Sequence, residues 1–196
     1  MKIIGLTGGI ATGKTTASQI LAQRGYEIID ADIVVHELQA KNSPLLCKIV
    51  KAFGTTILHS DGSLNRGELG KIIFSNESAR AKLDGIVHPA VRAEFERRIQ
   101  ISKADILFLD VPLLFEAGFD DMTDINLVIS AQERVQLSRL LLRDGFSKAE
   151  AQARIRSQMS ISEKVERADY VINNSGDLFD LEKNIDRFLA KLKFSG

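Results

Sequence analysis

The sequence of 196 residues lacks the features that would assign it to several specialised classes of protein. Its single cysteine, Cys47, excludes an intramolecular disulfide and a metal site made only of cysteines, and is typical of a reducing compartment. The 26 basic and 26 acidic residues cancel, so the net charge favours neither nucleic acid nor an anionic membrane surface. No apolar run approaches the roughly 18 residues of a membrane-spanning helix.

These absences predict a cytoplasmic globular protein with no nucleic-acid or membrane partner. Hydrophobic residues make up 44% and charged residues 27% of the chain, which is typical of a domain with one substantial core. Composition leaves the oligomeric state open. We expect a monomer, with a homo-oligomer as the alternative.

A phosphate-binding motif occupies the start of the chain. Residues 3–6 form a short apolar run that predicts a strand, and Gly-x4-Gly-Lys-Thr follows at residues 8–15. The glycines let successive backbone N–H groups turn toward one anion, and a helix that begins near Lys14 adds its positive dipole end. Lys14 would reach the β- and γ-phosphates, and the Thr15 hydroxyl would bind a phosphate-bound magnesium ion. The alternative, a glycine-rich turn that matches by chance, is disfavoured by the flanking strand and helix.

Two aspartates, Asp30 and Asp32, follow a second predicted strand at residues 26–30. The carboxyl ends of parallel strands meet at one edge of a sheet, so we expect Asp32 to face the phosphate loop. A carboxylate there could accept the proton of a hydroxyl group that attacks a γ-phosphate. The alternative is that Asp32 caps a helix over residues 33–38. With two aspartates at i and i+2, one can cap while the other reacts.

The strand–helix alternation stops between residues 43 and 92. Three helical patterns replace it, at residues 45–53, 66–74 and 77–87. This insertion predicts a helical lobe that holds the second substrate. Its candidates for binding an anionic or polar acceptor are Arg66, His88 and Arg92. The alternatives are an arginine that is merely solvated and a histidine that ends a helix before Pro89.

A third strand is predicted at residues 106–110, where a continuous apolar run ends in Asp110. An aspartate at such a tip is similar to the second carboxylate of phosphate-loop enzymes, which holds magnesium directly or through water. The alternative is that Asp110 caps the turn at residues 111–112. Glu116, further along, is a candidate for the same cleft.

Arginines cluster around a predicted break between two helices. A fourth strand is predicted at residues 125–129, and Ser130 is predicted to cap a helix over residues 132–143. A capping box at residues 147–150 opens the next helix. The arginines on these helices are Arg139, Arg143, Arg154 and Arg156. They predict a helical lid over about residues 139–160 that closes on the transferring phosphates. The alternative is that an individual arginine is merely solvated, and we expect two or three of the four to contribute.

Together with a fifth strand at residues 168–174 and an amphipathic helix at 178–192, these elements predict a single α/β domain of 196 residues. The fold is a P-loop nucleoside-triphosphate hydrolase-type three-layer sandwich: a five-stranded parallel sheet with a helical substrate lobe and a helical lid. The predicted activity is phosphoryl transfer from ATP to a small acceptor. A GTPase is excluded, because no Asp-x-x-Gly or Asn-Lys-x-Asp occurs. The alternatives are another small-molecule kinase (nucleoside monophosphate, shikimate or gluconate type) and a non-enzymatic nucleotide-binding module.

The chain resembles the dephospho-coenzyme A kinases over nearly its whole length. The matching segments are residues 5–16 with the phosphate loop, Asp-Ala-Asp at 30–32, residues 61–66, His-Pro at 88–89, Asp-Val-Pro-Leu-Leu-Phe-Glu at 110–116, the arginine lid with Gln158, and residues 168–174. The phosphate loop alone is shared by many enzymes. The Asp-Ala-Asp, His-Pro and Asp-Val-Pro-Leu-Leu-Phe-Glu segments, in this order, are far more specific.

The resemblance implies phosphorylation of the ribose 3′-hydroxyl of dephospho-CoA by ATP with Mg²⁺, the last step of coenzyme A synthesis. It implies that Asp32 is the catalytic base, assisted by Lys14 and Arg139. The implied nucleotide-binding residues are Gly8, Gly9, Ala11, Thr12, Gly13, Lys14, Thr15, Thr16, Arg139 and Arg143. The resemblance places Arg66, His88 and Arg92 on the acceptor side, and we predict an acceptor-binding set that also includes Asp32, Asp110 and Glu116. Magnesium is predicted to bind Thr15, with Asp110 in its outer shell.

One residue of the phosphate loop departs from the family pattern. The family usually has Gly-Ser-Gly-Lys-Ser where this chain has Ala-Thr-Gly-Lys-Thr at residues 11–15. Ala11 carries a Cβ atom where glycine is usual, so we predict that its backbone avoids positive φ. Thr15 keeps the hydroxyl group that magnesium binding needs.

Overall fold

The computed structural model describes residues 1–74 and 76–194, and the side chains as far as residue 192. The strands in these residues are β1 (Lys2–Gly8), β2 (Glu27–Asp30), β3 (Ile106–Asp110), β4 (Ile125–Ser130) and β5 (Tyr170–Asn173). The helices are α1 (Lys14–Gln23), α2 (Ala31–Leu38), α3 (Pro44–Phe53), α4 (Arg66–Phe74), α5 (Glu77–Ile101), α6 (Glu133–Asp144), α7 (Lys148–Arg156), α8 (Ile161–Glu166) and α9 (Leu178–Phe194). Short 3-10 turns lie at Thr55–Ile57 and Phe119–Met122.

The five strands form one parallel sheet in the order β2-β3-β1-β4-β5, which confirms the predicted fold class. The register sets which residues meet at its carboxyl edge. Leu6 of β1 lies opposite Asp110 of β3, and Gly8 lies opposite Ile129 of β4. The phosphate loop, which follows Gly8, and the carboxylate that ends β3 therefore lie at the same edge of the sheet.

One face of the sheet is covered by α1 and α9. Both helices are amphipathic, and their apolar positions pack on alternate residues of the strands. The buried cluster on this face contains Ile4, Leu6, Ala17, Ile20, Leu21, Phe108, Leu127, Ile129, Ile172, Leu181, Ile185, Phe188, Leu189 and Leu192. Helices lie on both sides of the sheet. Within residues 1–74 and 76–194, no helix is both long and apolar enough to cross a membrane.

The chain divides into two compact units. The first consists of Met1–Ile29 and the segment from Lys103 onward, and it contains the phosphate loop, helices α6 to α9 and all of the sheet except the last residue of β2. The second is Asp30–Ser102, which holds α2 to α5. The insertion predicted at residues 43–92 falls within this second unit, and its role as a substrate lobe remains a prediction.

Helix α5 continues through Pro89, so the prediction of a helix that stops at residue 87 is wrong. The reason is a buried stripe that extends across the proline. Leu83, Val87, Val91 and Phe95 are each no more than 9% exposed and follow one another every four residues. Burial of each such side chain contributes about 1.5–3 kcal/mol, which together outweighs the roughly 3 kcal/mol that an internal proline costs.

Two further predictions around the lid need correction. Ser130 does not cap a helix; it is the last residue of β4, where it pairs with Asn173 of β5. Strand pairing extends β4 by one residue, and α6 begins at Glu133 without a side-chain cap. Helix α8 was not predicted, although Ser160 and Glu163 form a capping box at its start. The capping box at Ser147 is confirmed.

Candidate active site

The phosphate loop connects β1 to α1, as its sequence spacing predicts. Gly13 precedes α1 with φ of +93°, and a Cβ atom there would lie 2.1 Å from Asn174 Nδ2. A Cβ atom on Gly8 would lie 2.6 Å from the backbone oxygen of Ile129. Gly8 is required because the backbone oxygen of Ile129 leaves no room for a Cβ atom. Gly13 is favoured by its left-handed φ, and a side chain there would also displace the amide of Asn174.

Ala11 adopts a left-handed backbone conformation with φ of +58°, so the prediction that it avoids positive φ is wrong. This conformation costs an alanine about 1–2 kcal/mol. Hydrogen bonds on both sides offset the cost. The backbone N–H and the Oγ1 of Thr12 both donate to Gly9 O, at 3.3 and 2.9 Å. Arg139 Nη1 donates to Ala11 O at 3.3 Å.

Replacing Ala11 with glycine is expected to leave the free energy of unfolding unchanged or to raise it by up to about 1 kcal/mol. Relief of left-handed strain is opposed by the roughly 0.5–1 kcal/mol entropy cost of ordering glycine. The matched control is Ala93→Gly at an exposed position inside α5, which should lose about 1 kcal/mol. Urea unfolding measures both. An equal loss in the two variants would contradict the left-handed conformation of Ala11.

Arg139 and Asn174 fix the phosphate loop through its backbone carbonyl groups. Besides Ala11 O, the Arg139 guanidinium donates to Thr12 O at 3.4 Å and to Asn174 O at 3.0 Å. Asn174 Nδ2 donates to Thr12 O at 2.8 Å. A side chain from α6 and another from the end of β5 thus hold the same stretch of loop. The sequence motifs included Asn174 but gave no role for it.

The other lid arginines have different surroundings. Arg143 pairs with Asp144, with 2.8 Å between Nη2 and Oδ2, and this hydrogen bond raises the pKa of the guanidinium. The Arg154 guanidinium lies 4.2 Å from the centre of the Phe146 ring, and Arg156 is exposed. Of the four, within the described part of the chain, Arg139 alone is hydrogen-bonded to the phosphate loop.

Lys14 and Asp110 form an ion pair at the carboxyl edge of the sheet, where Lys14 Nζ donates to Asp110 Oδ1. The Lys14 side chain is 15% exposed and the Asp110 side chain 2%. The structure therefore brings together the two charged residues that the sequence motifs placed at this edge. Each neutralises the other, because an unpaired charge at such a depth would be strongly destabilising.

The oxygen atoms at this edge suit a hard cation bound with phosphate. Thr15 supplies an exposed hydroxyl, and Asp110 supplies a carboxylate. Across residues 1–74 and 76–194, no group of three or more His, Cys, Asp or Glu side chains could hold a metal ion. Mg²⁺ prefers oxygen ligands and keeps several waters, so one hydroxyl, one carboxylate and phosphate oxygens fit its needs.

Asp30, and not Asp32, caps helix α2. Asp30 Oδ1 accepts hydrogen bonds from the backbone N–H groups of Asp32 and Ile33, at 2.7 and 3.2 Å. The alternative in which Asp32 caps this helix is therefore wrong. The carboxylate of Asp32 is exposed in the first turn of α2 and is not used for capping.

The other predicted acceptor-binding residues of the second unit lie on α4 and α5. Arg66 is the first residue of α4, and its Nη2 donates to Gln39 Oε1 at 3.3 Å. His88 lies inside α5, with Nε2 at 3.9 Å from Asp84 Oδ1, so it does not end that helix. Arg92 follows one turn after His88, so the two residues share a face of α5.

Glu116 is held by residues that follow α7, a connection that sequence reasoning missed. Its carboxylate accepts hydrogen bonds from Lys164 Nζ at 3.1 Å and from Met159 N at 3.2 Å. Next to Met159, Gln158 Oε1 accepts from Ile10 N in the phosphate loop at 3.0 Å. The capping box of α8 was the available sequence signal, since it would have placed Lys164 on a helix.

Comparison with known proteins gives consistent matches. The family model described as dephospho-CoA kinase matches residues 2–180. A dephospho-CoA kinase of Bacillus thuringiensis is 45% identical over 192 residues, which cover 96% of each chain. The structure of a dephospho-CoA kinase from Campylobacter jejuni is 31% identical and superimposes with a TM-score of 0.74 over 98% of each chain. A shikimate kinase from Bacteroides thetaiotaomicron, 16% identical with a TM-score of 0.54, shares the fold alone.

Proposed function

This chain belongs to the dephospho-CoA kinase family, and we propose from that premise how its residues phosphorylate dephospho-CoA. The reaction transfers the γ-phosphoryl group of ATP to the ribose 3′-hydroxyl, giving coenzyme A and ADP in the final step of coenzyme A synthesis. The observation that carries the assignment is the family match over residues 2–180, which includes the phosphate loop and its Lys14–Asp110 pair. We expect the reaction to take place in the cytoplasm.

The phosphate loop binds the triphosphate of ATP. Its backbone N–H groups and the start of α1 provide a positive environment, and Lys14 contacts the β- and γ-phosphates. The proposed nucleotide-binding set is Gly8, Gly9, Ala11, Thr12, Gly13, Lys14, Thr15, Thr16, Arg139 and Arg143. The pairing of Lys14 with Asp110 supports this role, because it holds the ammonium group at the end of β3.

Magnesium binding is assigned to the Thr15 hydroxyl and the Asp110 carboxylate. When bound, Mg²⁺ would reduce the negative charge on the phosphate oxygens that the attacking hydroxyl must approach. Asp110 also keeps Lys14 in place, so its carboxylate serves the cation and the lysine together.

Asp32 acts as the base that orients and deprotonates the 3′-hydroxyl. The capping role of Asp30 supports this assignment, because it leaves the Asp32 carboxylate available to substrate. Arg66, His88 and Arg92 bind dephospho-CoA, with Asp110 and Glu116 on the acceptor side. Arg139 and Arg143 neutralise charge that develops on the transferring group. Transfer is in line between the hydroxyl oxygen and the γ-phosphorus.

Replacing Arg66 with alanine is expected to raise the KM for dephospho-CoA about tenfold and to leave the KM for ATP within twofold. Loss of one charge-assisted hydrogen bond to the acceptor's diphosphate accounts for an effect of this size. Arg80→Ala, at an exposed arginine of α5, is the matched control and should leave both constants unchanged. A higher KM for ATP with no change for dephospho-CoA would place Arg66 on the nucleotide side.

An acceptor panel tests the proposed substrate. ADP release from MgATP is measured with dephospho-CoA, adenosine monophosphate, shikimate and gluconate. We expect release to depend on dephospho-CoA and to stay at the background rate with the others. Faster release with one of the other acceptors would assign the chain to a different small-molecule kinase, and no acceptor dependence would indicate a nucleotide-binding module.

A further inference from the structure

Lys164 is a charged residue with no exposed surface. It lies on α8, and its side chain is 0% exposed. Its Nζ donates to the backbone oxygen of Pro112 at 2.8 Å and to Oε2 of Glu116 at 3.1 Å. Burial lowers the pKa of the ammonium group, and Glu116 acts in the opposite direction. A lysine at such a depth is tolerated because it has a counter-charge and a carbonyl acceptor.

Both acceptors of Lys164 lie in the loop that follows Asp110. The first acceptor, the backbone oxygen of Pro112, also accepts a hydrogen bond from β1, the strand that precedes the phosphate loop. Thr7 Oγ1 donates to Pro112 O at 3.0 Å, so this one carbonyl group receives hydrogen bonds from β1 and from α8. Thr7 immediately precedes Gly8, the first residue of the phosphate motif. Lys164 is therefore connected through a single atom to the start of the phosphate loop.

The second acceptor connects Lys164 to the phosphate loop by another route. Glu116 also accepts from the backbone N–H of Met159, at 3.2 Å. The preceding residue, Gln158, accepts from Ile10 N at 3.0 Å. These hydrogen bonds form a network, called the circuit below. It begins at Ile10 in the phosphate loop and ends at Thr7 in β1, the strand that precedes this loop. Lys164 bonds to both Glu116 and Pro112 and so connects the two branches of this circuit.

We propose that Lys164 is a positioning residue for phosphoryl transfer, which sets Gln158 against the phosphate loop through Glu116. This inference rests on the proposed function. Lys164 touches no substrate in this role. Its ammonium group keeps the carboxylate of Glu116 in one place, Glu116 holds the backbone at Met159, and Gln158 then fixes the N–H of Ile10. Small displacements of groups that hold the reacting phosphate have large kinetic effects, about 100-fold for 1 Å.

The test compares Lys164→Met with wild type. The methionine keeps an unbranched side chain in the buried site and removes the charge. We expect kcat to fall at least tenfold, with the KM values for ATP and dephospho-CoA within threefold. Leu189→Ala is the control: it removes a buried side chain of α9, in the core on one face of the sheet, and should lower Tm without lowering kcat below the unfolding temperature.

Amide hydrogen exchange at Ile10 gives a readout that does not need the acceptor. Exchange should be faster than wild type in Lys164→Met and unchanged in Leu189→Ala. Gln158→Ala, which removes the acceptor of this N–H, should show the same faster exchange and a similar loss of kcat. Because Gln158 is only half-buried, this variant tests the last contact in the proposal even if Lys164→Met does not fold, and wild-type kcat in Gln158→Ala would overturn the proposal.

The outcomes separate the two proposals. The positioning role would be overturned if Lys164→Met kept the wild-type kcat. It would also be overturned if either variant had a lower kcat but an unchanged rate of amide exchange at Ile10. If dephospho-CoA is not phosphorylated by the wild-type protein, the proposed function fails while the exchange measurement still decides whether Lys164 holds the loop. Faster exchange without an effect on the transfer rate would also reject the role, because the circuit would then be structural only.

Discussion

Asp32→Asn is expected to lower kcat about 10²- to 10⁴-fold, the usual contribution of a general base. Asparagine has nearly the same size and shape, but its amide oxygen cannot take the proton of the 3′-hydroxyl. The side chain is exposed and is not part of the α2 cap, so the variant should fold and bind ATP as the wild type does. Steady-state kinetics with saturating dephospho-CoA, together with ATP binding by calorimetry, measure the effect.

Asp30→Asn is the matched control for this experiment. Asparagine caps helices as well as aspartate does, so α2 should keep its start and the activity should remain within a few-fold of wild type. Near wild-type turnover in Asp32→Asn with normal ATP binding would remove Asp32 as the base. If Asp30→Asn is the inactive variant instead, the two aspartates have the opposite roles.

Gly13→Ala is expected to lower kcat/KM for ATP by more than 100-fold. Alanine is strained at φ of +93°, and its Cβ atom would lie 2.1 Å from Asn174 Nδ2. The amide of Asn174 would be pushed from Thr12 O, and the loop carbonyl groups would lose the arrangement that Arg139 and Asn174 maintain. A 100-fold loss corresponds to about 2.7 kcal/mol of transition-state stabilisation. ATP titration by calorimetry and steady-state rates provide the measurement.

Gly25→Ala is the control that separates the strain of a positive φ from the clash with Asn174. Gly25 has φ of +87°, and an added Cβ atom there meets nothing within 4 Å. The free energy of unfolding of the Gly25→Ala variant should be about 1–2 kcal/mol lower than that of the wild type, and its activity should be unchanged. Equal activity in Gly13→Ala and Gly25→Ala would show that Asn174 does not constrain the loop.

The sequence patterns predicted most of the first unit, because strong local signals and tertiary packing agree there. The apolar run that ends in Asp110 gave β3 with both of its bounds. The pairing of Lys14 with Asp110 follows from parallel strands whose carboxyl ends meet at one edge. These predictions depend only on hydrophobic period and chain direction.

The predictions that failed are those in which distant contacts outweigh a local rule. Proline was expected to end α5, but the buried stripe extends beyond it to Phe95. Alanine was expected to avoid positive φ, but Arg139, far away in sequence, bonds to the carbonyl group of Ala11. Lys164 was missed because a lysine on a short helix reads as solvated, and its partners are about fifty positions away.

The most direct test of the account is the product formed from MgATP and dephospho-CoA. ADP release is followed with and without dephospho-CoA, and the mass and phosphorylation site of the product are then determined. We predict that ADP release requires dephospho-CoA and that the product carries one additional phosphate on the ribose 3′-hydroxyl. Release that is independent of dephospho-CoA, or a product phosphorylated at another position, would contradict the assignment of this chain's activity.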